Sequence, residues 1–90
     1  MSKELDVTVE NLLGLHARPA AMLVRKAMGF KSDIFLEKDG ERVNAKSIMG
    51  IMMLAAGRGS IITIRTEGKR DKAALNAIVQ LIEERFGEAE

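Results

Sequence analysis

A histidine, an arginine and a proline stand within four residues of each other at His16, Arg18 and Pro19, and His16 and Pro19 are the only ones of their kind in the 90-residue chain. Gly14 permits a sharp exit from whatever precedes it, and the preset φ of Pro19 suits the first turn of a helix. This places His16 at or just before a helix N-terminus. There, backbone N–H groups without intrahelical partners and the positive end of the helix dipole make an anion site. Arg18 adds a planar, permanently charged fork. A neutral imidazole beside such donors can take up a phosphoryl group and have the new charge held. A lone histidine before a helix is also a common solvated or capping residue, and residue chemistry alone leaves both readings open.

The elements that must position this group follow from hydrophobic spacing. Leu5, Val7 and Val9 alternate with polar residues as in a strand with one buried face, and Asn11 to Leu15 form the loop that presents His16. From Ala17 the period becomes helical: Ala20, Leu23, Val24, Ala27 and Met28 point to the core, Arg25 and Lys26 lie near the end, and Gly29 is the stop. Ile34 and Leu36 share a face of a second strand, Lys38-Asp39-Gly40-Glu41 signals a hairpin, and Val43 and Ala45 return.

Ser47 is a good N-cap for a short helix over residues 48–56. Ile51, Leu54 and Ala55 supply that helix with one buried stripe, which leaves Ile48, Met49 and Met52 as a surplus apolar surface suited to docking. Ile62 and Ile64 mark a fourth strand, broken at Gly68. Asp71 caps a last helix with Ala74, Leu75, Ile78, Leu81, Ile82 and Phe86 in its stripe, and residues 88–90 read as a frayed tail. The order is β-α-β-β-α-β-α. It predicts an α+β fold, a four-stranded, mainly antiparallel sheet with three helices on one face, as a single domain over residues 1–90.

Composition narrows the function. With 47% hydrophobic and 30% charged residues the chain is expected to be globular. No cysteine and one histidine exclude disulfides, thiolate chemistry and a conventional zinc site, so no metal and no cofactor are expected. No signal-peptide core or membrane-length apolar run is apparent, which predicts a cytoplasmic protein without membrane insertion. A formal charge of +1 gives no basis for nucleic-acid binding, and Phe30, Phe35 and Phe86 form no RNA-stacking tract.

Gly14-Leu15-His16-Ala17-Arg18-Pro19-Ala20, followed by Lys46-Ser47-Ile48-Met49-Gly50, resembles HPr, the histidine-containing phosphocarrier family of the bacterial sugar phosphotransferase system. The resemblance extends over nearly the whole chain. It implies an open-faced β-sandwich with strand order 1-4-2-3. It also implies phosphorylation of His16 at Nδ1 by Enzyme I, stabilisation by Arg18 and delivery to an EIIA protein or domain, with no independent catalytic activity. It implies contacts to both partners through Ala17, Ala21, Val24, Ile48, Met49 and Met52. Arg25, Lys26, Lys46 and Arg58 are cations that can steer acidic partners. The second motif resembles the site that HPr kinase/phosphorylase phosphorylates, which makes Ser47 a candidate phosphoserine and a transcriptional regulator a further candidate partner. A monomer is expected. The alternative reading is a regulatory module, nitrogen-type or seryl-phosphorylated, that does not feed a sugar transporter.

Overall fold

The alternating apolar residues of the chain lie on one face of a four-stranded sheet. The computed structural model describes residues 2–90. Strands β1 (Ser2–Thr8), β2 (Asp33–Lys38), β3 (Glu41–Asn44) and β4 (Ile61–Glu67) alternate with helices α1 (Ala17–Ala27), α2 (Ile48–Met53) and α3 (Asp71–Glu83), and a 3-10 turn at Arg85–Gly87 follows. The strand order is β1-β4-β2-β3 and every neighbouring pair is antiparallel. The predicted α+β class, element order and open-faced arrangement are therefore observed.

Register decides which side chains meet. Val7 opposes Ile62, and Leu36 opposes Ile64, so the inner face is a sheet of branched side chains that α3 covers, with α1 packed against α3. Ile34, Leu36, Ile62 and Ile64 are essentially sealed from water, together with Ala20 and Leu23 of α1 and Ile78 and Ile82 of α3. The other face is polar and open: Thr63 donates 2.6 Å to Asp6 there, and the Arg42 guanidinium lies over the Phe35 ring. The hairpin is the expected one, with Asp39 and Gly40 both at positive φ.

Several boundaries differ from the sequence reading. Leu5 is 47% exposed, because β1 is an outer strand of the sheet. Met28 is also exposed, at the residue where the chain leaves α1. Helix α2 ends at Met53, short of Ala56. Ala55 takes φ 50°, which breaks the helix, so Ala55 faces solvent while Ala56 turns into the core in its place. Arg70, in a left-handed conformation, stands at the N-cap of α3 and Asp71 is the first helical residue; Asp71 uses its carbonyl to accept from the buried Thr66 hydroxyl. Phe86 is fully buried, but from the 3-10 turn: the chain reverses at Arg85 and Phe86, both at positive φ, and carries the ring back under the helices.

Candidate functional site

His16 is the N-cap of α1, and the first intrahelical bond runs from Ala20 N–H to the His16 carbonyl. Pro19 has no N–H to donate, so the donors that open the helix ahead of that bond are those of Ala17 and Arg18. The loop before it is tied down at both ends. Val9 accepts from Gly59 and donates to Ser60, and Leu15 N–H donates 2.9 Å to the carbonyl of Ala56, beyond α2. Gly14 is at φ 63°, and a Cβ there would overlap the Ala56 carbonyl oxygen and lie 2.7 Å from Gly57 Cα. Only glycine lets the loop approach the end of α2 this closely.

Around the imidazole, three side chains converge on one carboxylate. Glu88 Oε2 is 3.1 Å from His16 Nε2 and 3.2 Å from Arg18 Nη1, while Glu88 Oε1 accepts from Asn11 Nδ2 at 3.0 Å. Asn11 is itself fully buried and also donates 2.7 Å to the Gly14 carbonyl, so it braces the loop and the carboxylate together. Arg18 reaches further back to the Phe86 carbonyl at 3.4 Å. Burial by itself raises the Glu88 pKa; hydrogen bonds from Asn11 and His16, attraction to the imidazole and the Arg18 bond together outweigh it and hold the group below its ordinary value. Glu88 is therefore ionised at neutral pH and can only accept, which puts the ring proton of neutral His16 on Nε2. Nδ1 has no hydrogen-bond partner among the described residues.

The tail is thus not frayed at its first residue: Glu88 is 18% exposed and pinned across the site, 72 residues from His16. Glu88 and Asn11 are the two site residues missing from the sequence reading. An asparagine in the loop just ahead of the histidine, a residue type that hydrogen-bonds nearby backbone, was a usable signal for Asn11, whereas nothing local marks Glu88.

The apolar residues behave largely as anticipated. Ile48, Met49 and Met52 are exposed, Ala17 is exposed, and Ala21 and Val24 are half-buried. Met52 joins His16, Leu13, Leu15 and Ala55 around a recess with no charged residue in its lining. Leu12, Leu13 and Met53 are exposed as well and enlarge the apolar surface beyond the residues singled out in the sequence. Arg25 and Lys26 end α1, and with Arg18 and Arg70 they ring a groove of about 710 Å³ floored by Met22, Phe30 and Leu81. Lys46 is anchored: its ammonium donates to the carbonyls of Phe30 and Ser32, which fixes the link between α1 and β2 and leaves its positive charge held in place. Ser47 is the N-cap of α2, its Oγ accepting from Gly50 N–H at 3.0 Å. Among the described residues no cluster of metal-ligating side chains occurs, and no helix is long and apolar enough to cross a membrane.

The chain is similar to known proteins in sequence and fold. The family model described as the PTS HPr component phosphorylation site matches residues 3–84. The phosphocarrier protein HPr of Cupriavidus necator is 49% identical over 85 residues, covering 94% of this chain and 96% of the relative. The HPr-like protein Crh of Halalkalibacterium halodurans is 54% identical over 80 residues, covering 89% of this chain and 95% of the relative. A crystal structure of HPr from Thermoanaerobacter tengcongensis superposes with a TM-score of 0.94 at 48% identity, covering 98% of this chain and 99% of that one. With its histidine at the head of α1 and relatives matched over nearly their full length, the chain belongs to the HPr family of phosphocarrier proteins of the phosphotransferase system.

Proposed function

We propose that this chain, as a single domain over residues 1–90, carries a phosphoryl group on His16, received from phosphorylated Enzyme I and passed to an EIIA protein or domain for sugar uptake. The observation that carries the reading is the imidazole at the head of α1, with Nδ1 unpartnered and Arg18 and the first helix N–H groups beside it. Nδ1 attacks phosphorus, the bond to the donor breaks with its electron pair left on the donor, and the anionic product is held by Arg18 and the helix end. One arginine and a few amides form a moderate clamp, which suits a group that must leave again.

Ala17, Ala21, Val24, Ile48, Met49 and Met52 form the docking surface, and the adaptable thioethers suit successive partners. Arg25, Lys26, Lys46 and Arg58 steer them; Arg25→Glu then lowers the association rate with Enzyme I, most at low salt, whereas an unchanged rate removes steering from the account. The protein acts as a cytoplasmic monomer that needs no cofactor. The decisive experiment is intact mass after incubation with phosphoenolpyruvate and an active Enzyme I, with His16→Ala alongside. One acid-labile phosphate on the wild type and none on the variant is the expected result. A folded wild type that takes up no phosphate overturns the reading.

A second reading rests on Ser47, the N-cap of a helix whose outer side is apolar and exposed, and on the 54% identity to an HPr-like Crh protein. In it, phosphorylation of Ser47 by HPr kinase/phosphorylase places charge within the docking surface, weakens engagement of Enzyme I and favours a transcriptional regulator as partner. Incubation with ATP and that kinase, followed by mass analysis of the wild type and Ser47→Ala, tests it; no phosphate on the wild type removes it.

A further inference from the structure

The carboxylate of Glu88 touches the histidine and the arginine of the site at once, although the turn that carries it lies beyond the last helix. Its placement is built. Phe86, sealed in the core, anchors the turn two residues earlier, and Asn11, sealed beneath the loop, holds Oε1. The second oxygen is left for Nε2 and Arg18.

We propose that Glu88 is a positioning residue for phosphoryl transfer at His16: by accepting the Nε2 hydrogen bond, with Arg18 held against the same oxygen and Asn11 against the other, it keeps the ring proton on Nε2 and the lone pair on Nδ1. The proposal rests on the reading of His16 as the phosphorylated residue. An imidazole free to rotate and exchange tautomers spends part of its time with the proton on Nδ1, where it cannot attack phosphorus, or with Nδ1 turned inward. The Glu88 contact removes both losses before the donor arrives. When Nδ1 forms its bond to phosphorus and the donor bond breaks, the ring becomes cationic while its proton stays on Nε2, opposite the carboxylate. Transfer onward reverses this without any proton having to enter or leave.

Glu88 also occupies Arg18, and its charge faces an arriving anion, so a purely blocking carboxylate would act in the opposite direction. The two differ in sign. The charged groups at the ring are Glu88 from the turn after α3, which bonds Nε2, and Arg18 from α1, which bonds Glu88; Leu13, Leu15, Met52, Ala55 and Ala56, which line a recess with the ring, are uncharged.

The test uses the full chain labelled with nitrogen-15, in which the single histidine makes the ring signals unambiguous. The wild type, Glu88→Ala and Glu88→Gln are compared by imidazole nitrogen NMR at neutral pH and by the rate of phosphoryl transfer from phosphorylated Enzyme I. In the wild type the proton is expected on Nε2, exchanging slowly enough for its N–H coupling to be seen. Glu88→Ala is expected to lose that coupling and populate both tautomers, and to transfer roughly tenfold more slowly, the worth of one charge-assisted hydrogen bond. Glu88→Gln, whose amide oxygen still accepts, is expected to recover most of both. Unchanged tautomers and rate in Glu88→Ala overturn the proposal, and faster transfer overturns it in favour of a blocking carboxylate. Failure of the wild type itself to accept phosphate from an active Enzyme I overturns instead the assignment of His16.

Discussion

Leu15 N–H and the Ala56 carbonyl, 2.9 Å apart and 41 positions distant in the chain, join the loop that carries the candidate nucleophile to the segment that ends the apolar helix. The imidazole and the exposed apolar helix are thereby held as one unit, so that in the proposed function a partner docked on Met49 and Met52 would meet His16 in a fixed orientation. Each of the following outcomes is expected from such couplings.

Gly14→Ala forces a side chain into a left-handed position against the Ala56 backbone. A cost of about 2–3 kcal/mol is expected from strain of this kind, read as a lower urea midpoint, with slower phosphate uptake because the loop retreats from α2. A variant as stable and as active as the wild type shows that the loop relaxes freely.

Arg18→Ala keeps the fold, since the side chain is 59% exposed and its bonds lie at the rim of the site. Phosphoryl transfer through His16 is expected to fall on the order of tenfold, the scale of a lost charge-assisted donor. Stopped-flow or quenched transfer from phosphorylated Enzyme I measures it, and unchanged kinetics in the folded variant remove Arg18 from the clamp.

Ser47→Ala loses the N-cap bond to Gly50 and is expected to destabilise the protein by about 1 kcal/mol. Ser47→Asp retains a capping oxygen and near-wild-type stability, yet places charge beside the exposed Ile48 and Met49. Weaker binding of Enzyme I to Ser47→Asp alone, measured calorimetrically, separates the capping effect from the electrostatic one.

Glu88 has a folded-state pKa below its unfolded value. Its contacts therefore contribute stability that is fully present above the unfolded pKa and is lost as the pH falls through the folded one. The difference in urea midpoint between the wild type and Glu88→Ala is expected to be constant around neutrality and to shrink only below pH 4.5. A difference that fades between pH 7 and 5 would assign the effect to another group.

Local pattern determined much of this protein. Alternation in Ile34–Leu36 and Ile62–Ile64, the helical period from Ala17, and the capping chemistry of Ser47 each depend on residues a few positions apart, and so does the placement of His16 at a helix start. The exposed Ile48, Met49 and Met52 were legible because one short helix held more apolar side chains than a core could take. Tertiary structure alone decided where Ala55 and Phe86 turn, since each adopts positive φ against its own preference to serve packing elsewhere. It alone also brought Glu88 across the site. A contact spanning 72 residues leaves no periodicity in the sequence; it exists because the burial of Phe86 aims the following turn at a loop whose buried Asn11 has a donor to offer.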